Sequence, residues 1–137
     1  MNILKLQKDF LTSVIKKKNP TYAEWNNMVG YGSPAFIGFI HKSDAYVDPK
    51  LRPRDMKRIM DEEQNHPYVI GNRIYTITLP DKRKCARFEN GEQFCYLNES
   101  FLSYFDKDAV YYINDEKTPV FVHEYGHTVG VILPVRI

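Results

Sequence analysis

Between residues 2 and 18 the apolar side chains Leu6, Phe10, Leu11, Val14 and Ile15 recur at helical spacing. This predicts one amphipathic helix with a single buried stripe. Asn19-Pro20 ends it. Tyr22 to Met28 then reads as one or two helical turns around Trp25, before Gly30, Gly32 and Pro34 break the chain. Ala35-Phe-Ile-Gly-Phe-Ile40 is a short apolar run with strand character, and Pro49 and Pro53 bracket a loop. Arg54 to Gln64 predicts a second helix with Met56, Ile59 and Met60 on one face. Its charges oppose the helix dipole, and pairs such as Lys57–Asp61 and Arg58–Glu62 offset part of that.

After His66-Pro67 the pattern changes to strands. Tyr68 to Leu79 contains two strand-like runs around Gly71-Asn72. Cys85 to Phe88 and Gln93 to Leu97 flank Asn90-Gly91, a hairpin signal. With that pair as the turn, Ala86 faces Cys95 and Cys85 faces Tyr96, so the thiols lie on opposite faces and a disulfide is disfavoured. Asn98 is placed to cap a short helix from Glu99 to Phe105. Ala109 to Ile113, Val120 to His123 and Thr128 to Val135 read as strands, separated by Asn114-Asp115 and Tyr125-Gly126. The expectation is a single α+β domain of antiparallel sheets with two packed helices. Residues 1–65 form its helix-rich first half and residues 66–137 its β-rich second half.

The chain has 137 residues, which suits one domain, and a 43% hydrophobic, 14% aromatic composition predicts a packed core. A net charge of +2 neither requires nor forbids a nucleic-acid partner, but its distribution is uneven. Residues 1–20 hold Lys5, Lys8, Lys16, Lys17 and Lys18 against Asp9 alone. Lys16, Lys17 and Lys18 are therefore candidates for contact with DNA phosphates, although a solvated, dipole-compatible helix end is the preferred reading of them. No apolar stretch approaches membrane-spanning length, and no continuous apolar core precedes a small-residue cleavage site, so a cytoplasmic protein is expected.

His123-Glu-Tyr-Gly-His127 spells HExxH. On a helix, such histidines share one face and hold zinc, while the glutamate acts as general base on the metal-bound water. His123 and His127 are thus alternative metal ligands and Glu124 an alternative catalytic base. The local sequence resists a helix. Val120, Phe121 and Val122 precede the motif, Gly126 interrupts it, and Val129-Gly-Val-Ile132 follows. Leu133 stands where a downstream third ligand would be, leaving His41, His66 or an acid upstream for that role. A hairpin turning at Tyr125-Gly126 is the preferred reading, with no metal or cofactor.

The carboxyl-terminal Val131-Ile-Leu-Pro-Val-Arg-Ile137 resembles the end of bacterial DNA polymerase sliding clamps (the processivity β subunit), which close on a strand and a Met/Leu-Pro-Met/Val/Ile-Arg tail. Val69-Ile-Gly-Asn-Arg-Ile-Tyr75 resembles the clamp strand ending in Asp-Gly-His-Arg-Leu. Gly71, Arg73 and Ile74 align, Asn72 replaces the histidine and Ile70 the aspartate. Cys95 to Phe105, Val110 to Ile113 and Pro119 to Val122 resemble the strand, helix and strands that follow. The likeness covers roughly residues 66–137. It implies two βαβββ-like halves with sheets outside and helices inside, facing DNA. It also implies a groove for short partner peptides, built from the Gly-His-Arg-Leu strand of one domain and the tail of the next. The matching positions here are Gly71, Arg73, Ile74, Val131, Leu133, Pro134, Val135 and Arg136. A clamp chain carries three domains, so a ring of this chain would need about six copies closing head to tail.

Three function classes follow. One is a non-enzymatic clamp-like protein of replication or of a phage or mobile element, binding partner peptides and DNA backbone. The second is a zinc peptidase using His123, Glu124 and His127. The third is a small phage-encoded inhibitor of a host defence nuclease.

Overall fold

The computed structural model describes residues 1–45 and 52–137; Pro49 of the expected loop lies outside them. The chain forms one α+β domain around a nine-stranded antiparallel sheet. Its elements are α1 (Ile3–Ile15), β1 (Thr21–Trp25), β2 (Met28–Ser33), β3 (Phe36–His41), α2 (Lys57–Asn65), β4 (Val69–Thr78), β5 (Lys84–Asn90), β6 (Gln93–Asn98), α3 (Glu99–Leu102), β7 (Val110–Ile113), β8 (Val120–Glu124) and β9 (His127–Ile132). The strand order is β1-β2-β3-β9-β8-β7-β4-β5-β6.

The first helix forms because Leu6 and Phe10 bury against the sheet and Asn2 accepts the Lys5 N–H at its start. The expected five-residue buried stripe is corrected: Leu11 is 44% and Ile15 81% exposed. The helix stops at Ile15, so Lys16, Lys17 and Lys18 form its cap rather than its last turn. Lys17 adopts φ +53°, and the N–H groups of Lys17 and Lys18 return to the carbonyls of Val14 and Ser13. This is the double hydrogen bond of a Schellman cap, with lysine where glycine is usual.

Residues 22–28 are not helical. Tyr22 to Met28 belongs to the β1–β2 hairpin, turning at Asn26 and Asn27 with φ of +47° and +63°. Asparagine tolerates that region, so Asn-Asn serves as the two-residue turn. The helix-rich first half is thereby corrected, since residues 21–41 form three strands. Pairing of β5 with β6 runs Asn90↔Gln93, Phe88↔Cys95 and Cys85↔Asn98. The turn is Gly91-Glu92, not Asn90-Gly91, and Ala86 faces Leu97. Gly91 takes φ +61° at the first central position, where asparagine had been expected. The register moves by two, an even number, so the thiols still point to opposite faces; both are buried and free.

The two expected runs in 68–79 are one strand, bulged between Arg73 and Tyr75. Val69–Gly71 pairs with β7 and Asn72–Thr78 with β5, so β4 bends the sheet onto itself. Two cores result. Leu6, Phe10, Phe36, Phe88, Val122 and Ile132 pack in the larger. Ile37, Phe39, Met56, Met60, Phe121 and Val131 pack in the smaller, under α2. The central strands are covered on both faces, which is why β3, β8 and β9 read as nearly continuous apolar runs. The runs α1-β1-β2-β3 and α3-β7-β8-β9 meet where β3 pairs with β9, Ile37 opposite Val131. The two helical segments lie side by side on one face: the Asn2 N–H donates to the Tyr104 carbonyl, and Lys5 reaches Ser103 at 2.8 Å. Among the described residues no helix is long and apolar enough to cross a membrane.

Candidate functional site

The HEYGH segment is the β8–β9 hairpin. Tyr125 and Gly126 take φ of +53° and +77°, the signs a two-residue turn of this hand requires. Glu124 pairs with His127 and His123 with Thr128. This sends the two histidines to opposite faces, so the shared helical face on which the zinc-peptidase alternative depends does not form. His123 Nε2 lies 2.6 Å from Glu63 Oε1 on α2 and 3.1 Å from Thr128 Oγ1. A nucleophile relay needs the carboxylate on one ring nitrogen and the hydroxyl on the other. Here both partners converge on one nitrogen, so the group ties α2 to the hairpin and does not activate Thr128. Glu124 points the other way. It is buried, accepts the Asp106 N–H at 2.8 Å and receives the Met1 ammonium at 2.6 Å. The upstream candidates are also engaged, His41 with Ser43 at 2.7 Å and His66 with Glu62 at 2.6 Å. Among the described residues no three His, Cys, Asp or Glu side chains gather as a metal site.

The clamp-type positions fall in two separate places. Gly71 is buried in β4 opposite Tyr111, and Val131 is buried in the smaller core, so both are packing residues. Arg73 is exposed at the β4 bulge, 3.2 Å from Glu99 Oε1, and Ile74 beside it is 51% exposed. Leu133, Pro134 and Val135 are half-buried and Arg136 is exposed. The tail leaves the sheet after Ile132, earlier than the expected Val135. The Leu133 N–H donates to the Ala35 carbonyl and the Val135 N–H to the Tyr96 carbonyl on β6. Strands β5 and β6 therefore stand between β4 and the tail, a separation of about 14 Å at normal strand spacing. Within one copy these residues do not line one groove. A cleft of about 420 Å³ beside Gly71 and Arg73 is instead completed by Phe88, Leu102, Phe105 and Tyr111.

A cavity of about 680 Å³ lies between the tips of the β1–β2 and β8–β9 hairpins and α2, lined by Trp25, Met28, Met60, Glu63 and His127. Sequence reasoning did not find it; Glu63 and Trp25 carried no signal linking them to residues 123–128. Tyr125 stands at its rim, 93% exposed. The cysteines offer no nucleophile. Burial pushes the Cys95 thiol up to about 12 and the Cys85 thiol above its usual value. Lys16, Lys17 and Lys18 are exposed and, among the described residues, have no acidic partner within ion-pair distance. No protein family, curated protein or solved structure matches the chain.

Proposed function

We propose that this chain is a non-enzymatic, sliding-clamp-like protein that acts by binding short peptides of partner proteins. The supporting observation is the doubled arrangement of a helical segment and three strands, joined at the β3–β9 pairing, with both helical segments on one face. It matches the αβββ part of the two βαβββ-like halves that the clamp resemblance implies, the first half having no strand ahead of α1 among the described residues. The groove in this reading is shared between copies: Arg73 and Ile74 of one copy face Leu133 to Arg136 of the next, head to tail. The chemistry suits an apolar peptide with an acidic residue, because apolar side chains are rimmed by Arg73 and Arg136. Lys16, Lys17 and Lys18 supply salt-sensitive contact with DNA phosphates.

Light scattering after gel filtration, with titration of fluorescent apolar-acidic octapeptides and of duplex DNA at low salt, tests the reading. Self-association with saturable peptide binding is expected. A strict monomer that binds neither peptide nor DNA removes it.

A further inference from the structure

The outer face of α1 carries more apolar surface than its role in the core explains. Leu4 is 83%, Ile15 81%, Leu11 44% and Ile3 37% exposed, whereas Leu6 and Phe10 satisfy the core from the opposite side. At 3.6 residues per turn, Leu4, Leu11 and Ile15 fall within an arc of about 40°. They form a ridge along a thirteen-residue helix. Lys8, Lys5 and Lys16 follow on one flank only, and the other flank is Gln7, Val14 and Ile3. Among the described residues Lys8 and Lys16 have no acidic partner, while Lys5 has Asp9 at 3.9 Å and is also engaged by Ser103 and the Tyr104 ring.

We propose that this face docks an acidic amphipathic helix of a partner protein, its apolar side on Leu4, Leu11 and Ile15 and its carboxylates on the lysine flank. The charge pattern selects this occupant. A second copy would bring the same lysines to the contact, with Asp9 as the helix's lone acid and already held by the Tyr104 hydroxyl. A DNA backbone would face a ridge of leucine and isoleucine in place of hydrogen-bond donors. A lipid surface would also accept an apolar ridge beside cations, and vesicles are therefore among the comparison probes. The ridge instead fits helix-on-helix docking, with anchors seven and four residues apart and charges on one side setting the orientation. This docking site does not depend on the clamp-like reading.

The test uses the full chain and a fluorescent synthetic helix of about 20 residues, with leucines at helical spacing and glutamates along one flank. Its lysine-for-glutamate counterpart, vesicles of phosphatidylserine and phosphatidylcholine, and a blunt DNA duplex are the comparison probes. Saturable binding that depends on Leu4 and Ile15 is expected of the acidic helix alone, any duplex binding through Lys16 to Lys18 being insensitive to those two side chains. It should weaken about tenfold or more in the Leu4→Gln/Ile15→Gln variant and severalfold in Lys8→Glu. All three side chains are exposed, so the variants should melt with the wild type, and the clamp-type octapeptides should bind them unchanged. Three results would overturn the proposal: no saturation with the acidic helix, saturation insensitive to Leu4 and Ile15, or equal leucine-dependent capture by vesicles or duplex.

Discussion

Glu124 and His123 are neighbours in the chain and face opposite sides of β8, each held by a partner far away in sequence. Removing the Glu124 carboxylate leaves the Asp106 N–H and the Met1 ammonium without their buried acceptor. Glu124→Ala is expected to cost about 3 kcal/mol, read as a lower urea midpoint. A change within about 0.5 kcal/mol would show that the carboxylate is not structural. The same contact predicts a pH dependence. Burial opposes the charge on the Met1 amino group, and the carboxylates of Glu124 and Asp106 outweigh it, so its pKa is raised above the ordinary value near 8. The folded state therefore binds this proton more tightly than the unfolded chain. The stabilisation is complete below about pH 8 and is lost as pH rises through the raised value. Melting temperature followed upward from about pH 7 into the alkaline range should fall more in the wild type than in Glu124→Ala; parallel curves would count against the link.

Two elements carry backbone features that can be tested separately from contacts. Lys17 caps α1 in a left-handed conformation that disfavours any side chain. Lys17→Gly should stabilise by up to about 1 kcal/mol, with a rise of a few degrees in the calorimetric melting temperature; a fall would mean that the lysine side chain matters more than the cap. Gly130 in β9 has the opposite character. A methyl group there would lie 2.4 Å from Cζ of Phe105, the ring that closes the larger core after α3. Gly130→Ala should cost about 2 kcal/mol or more, measured by denaturant unfolding, unless Phe105 rotates clear. At this scale the sequence was informative where one signal dominated. The doubly buried runs of β3, β8 and β9 and the Asn98 cap were legible. The β1–β2 hairpin was not, because its Asn-Asn turn and its tyrosine and tryptophan residues fit a helical turn as well as a strand.

For the whole molecule, a groove shared between copies makes a prediction that a groove within one chain does not. Arg73→Glu and Arg136→Glu should each abolish octapeptide binding. Their equimolar mixture should regain about a quarter of the wild-type capacity, because random head-to-tail assembly pairs an intact β4 with an intact tail in one site of four. Fluorescence anisotropy reads the capacity directly, and no recovery on mixing would argue against assembly in trans. The separation of Arg73 from the tail by two strands was invisible in the sequence. It arises where β4 bulges and hands its pairing from β7 to β5.

Local pattern alone determined the class of this protein and the turn at Tyr125-Gly126. Alternation, doubly apolar runs and turn residues act within a few positions and declare themselves in any linear reading. The tertiary structure decided which apolar residues are core. Leu6 and Leu11 look alike in the sequence, yet one meets the sheet and the other meets solvent. It also decided the fate of the histidines, whose spacing suits zinc only on a helix and whose strand pairing separates them. Burial and facing depend on which distant surfaces arrive opposite a residue, and those contacts exist only after the chain has folded.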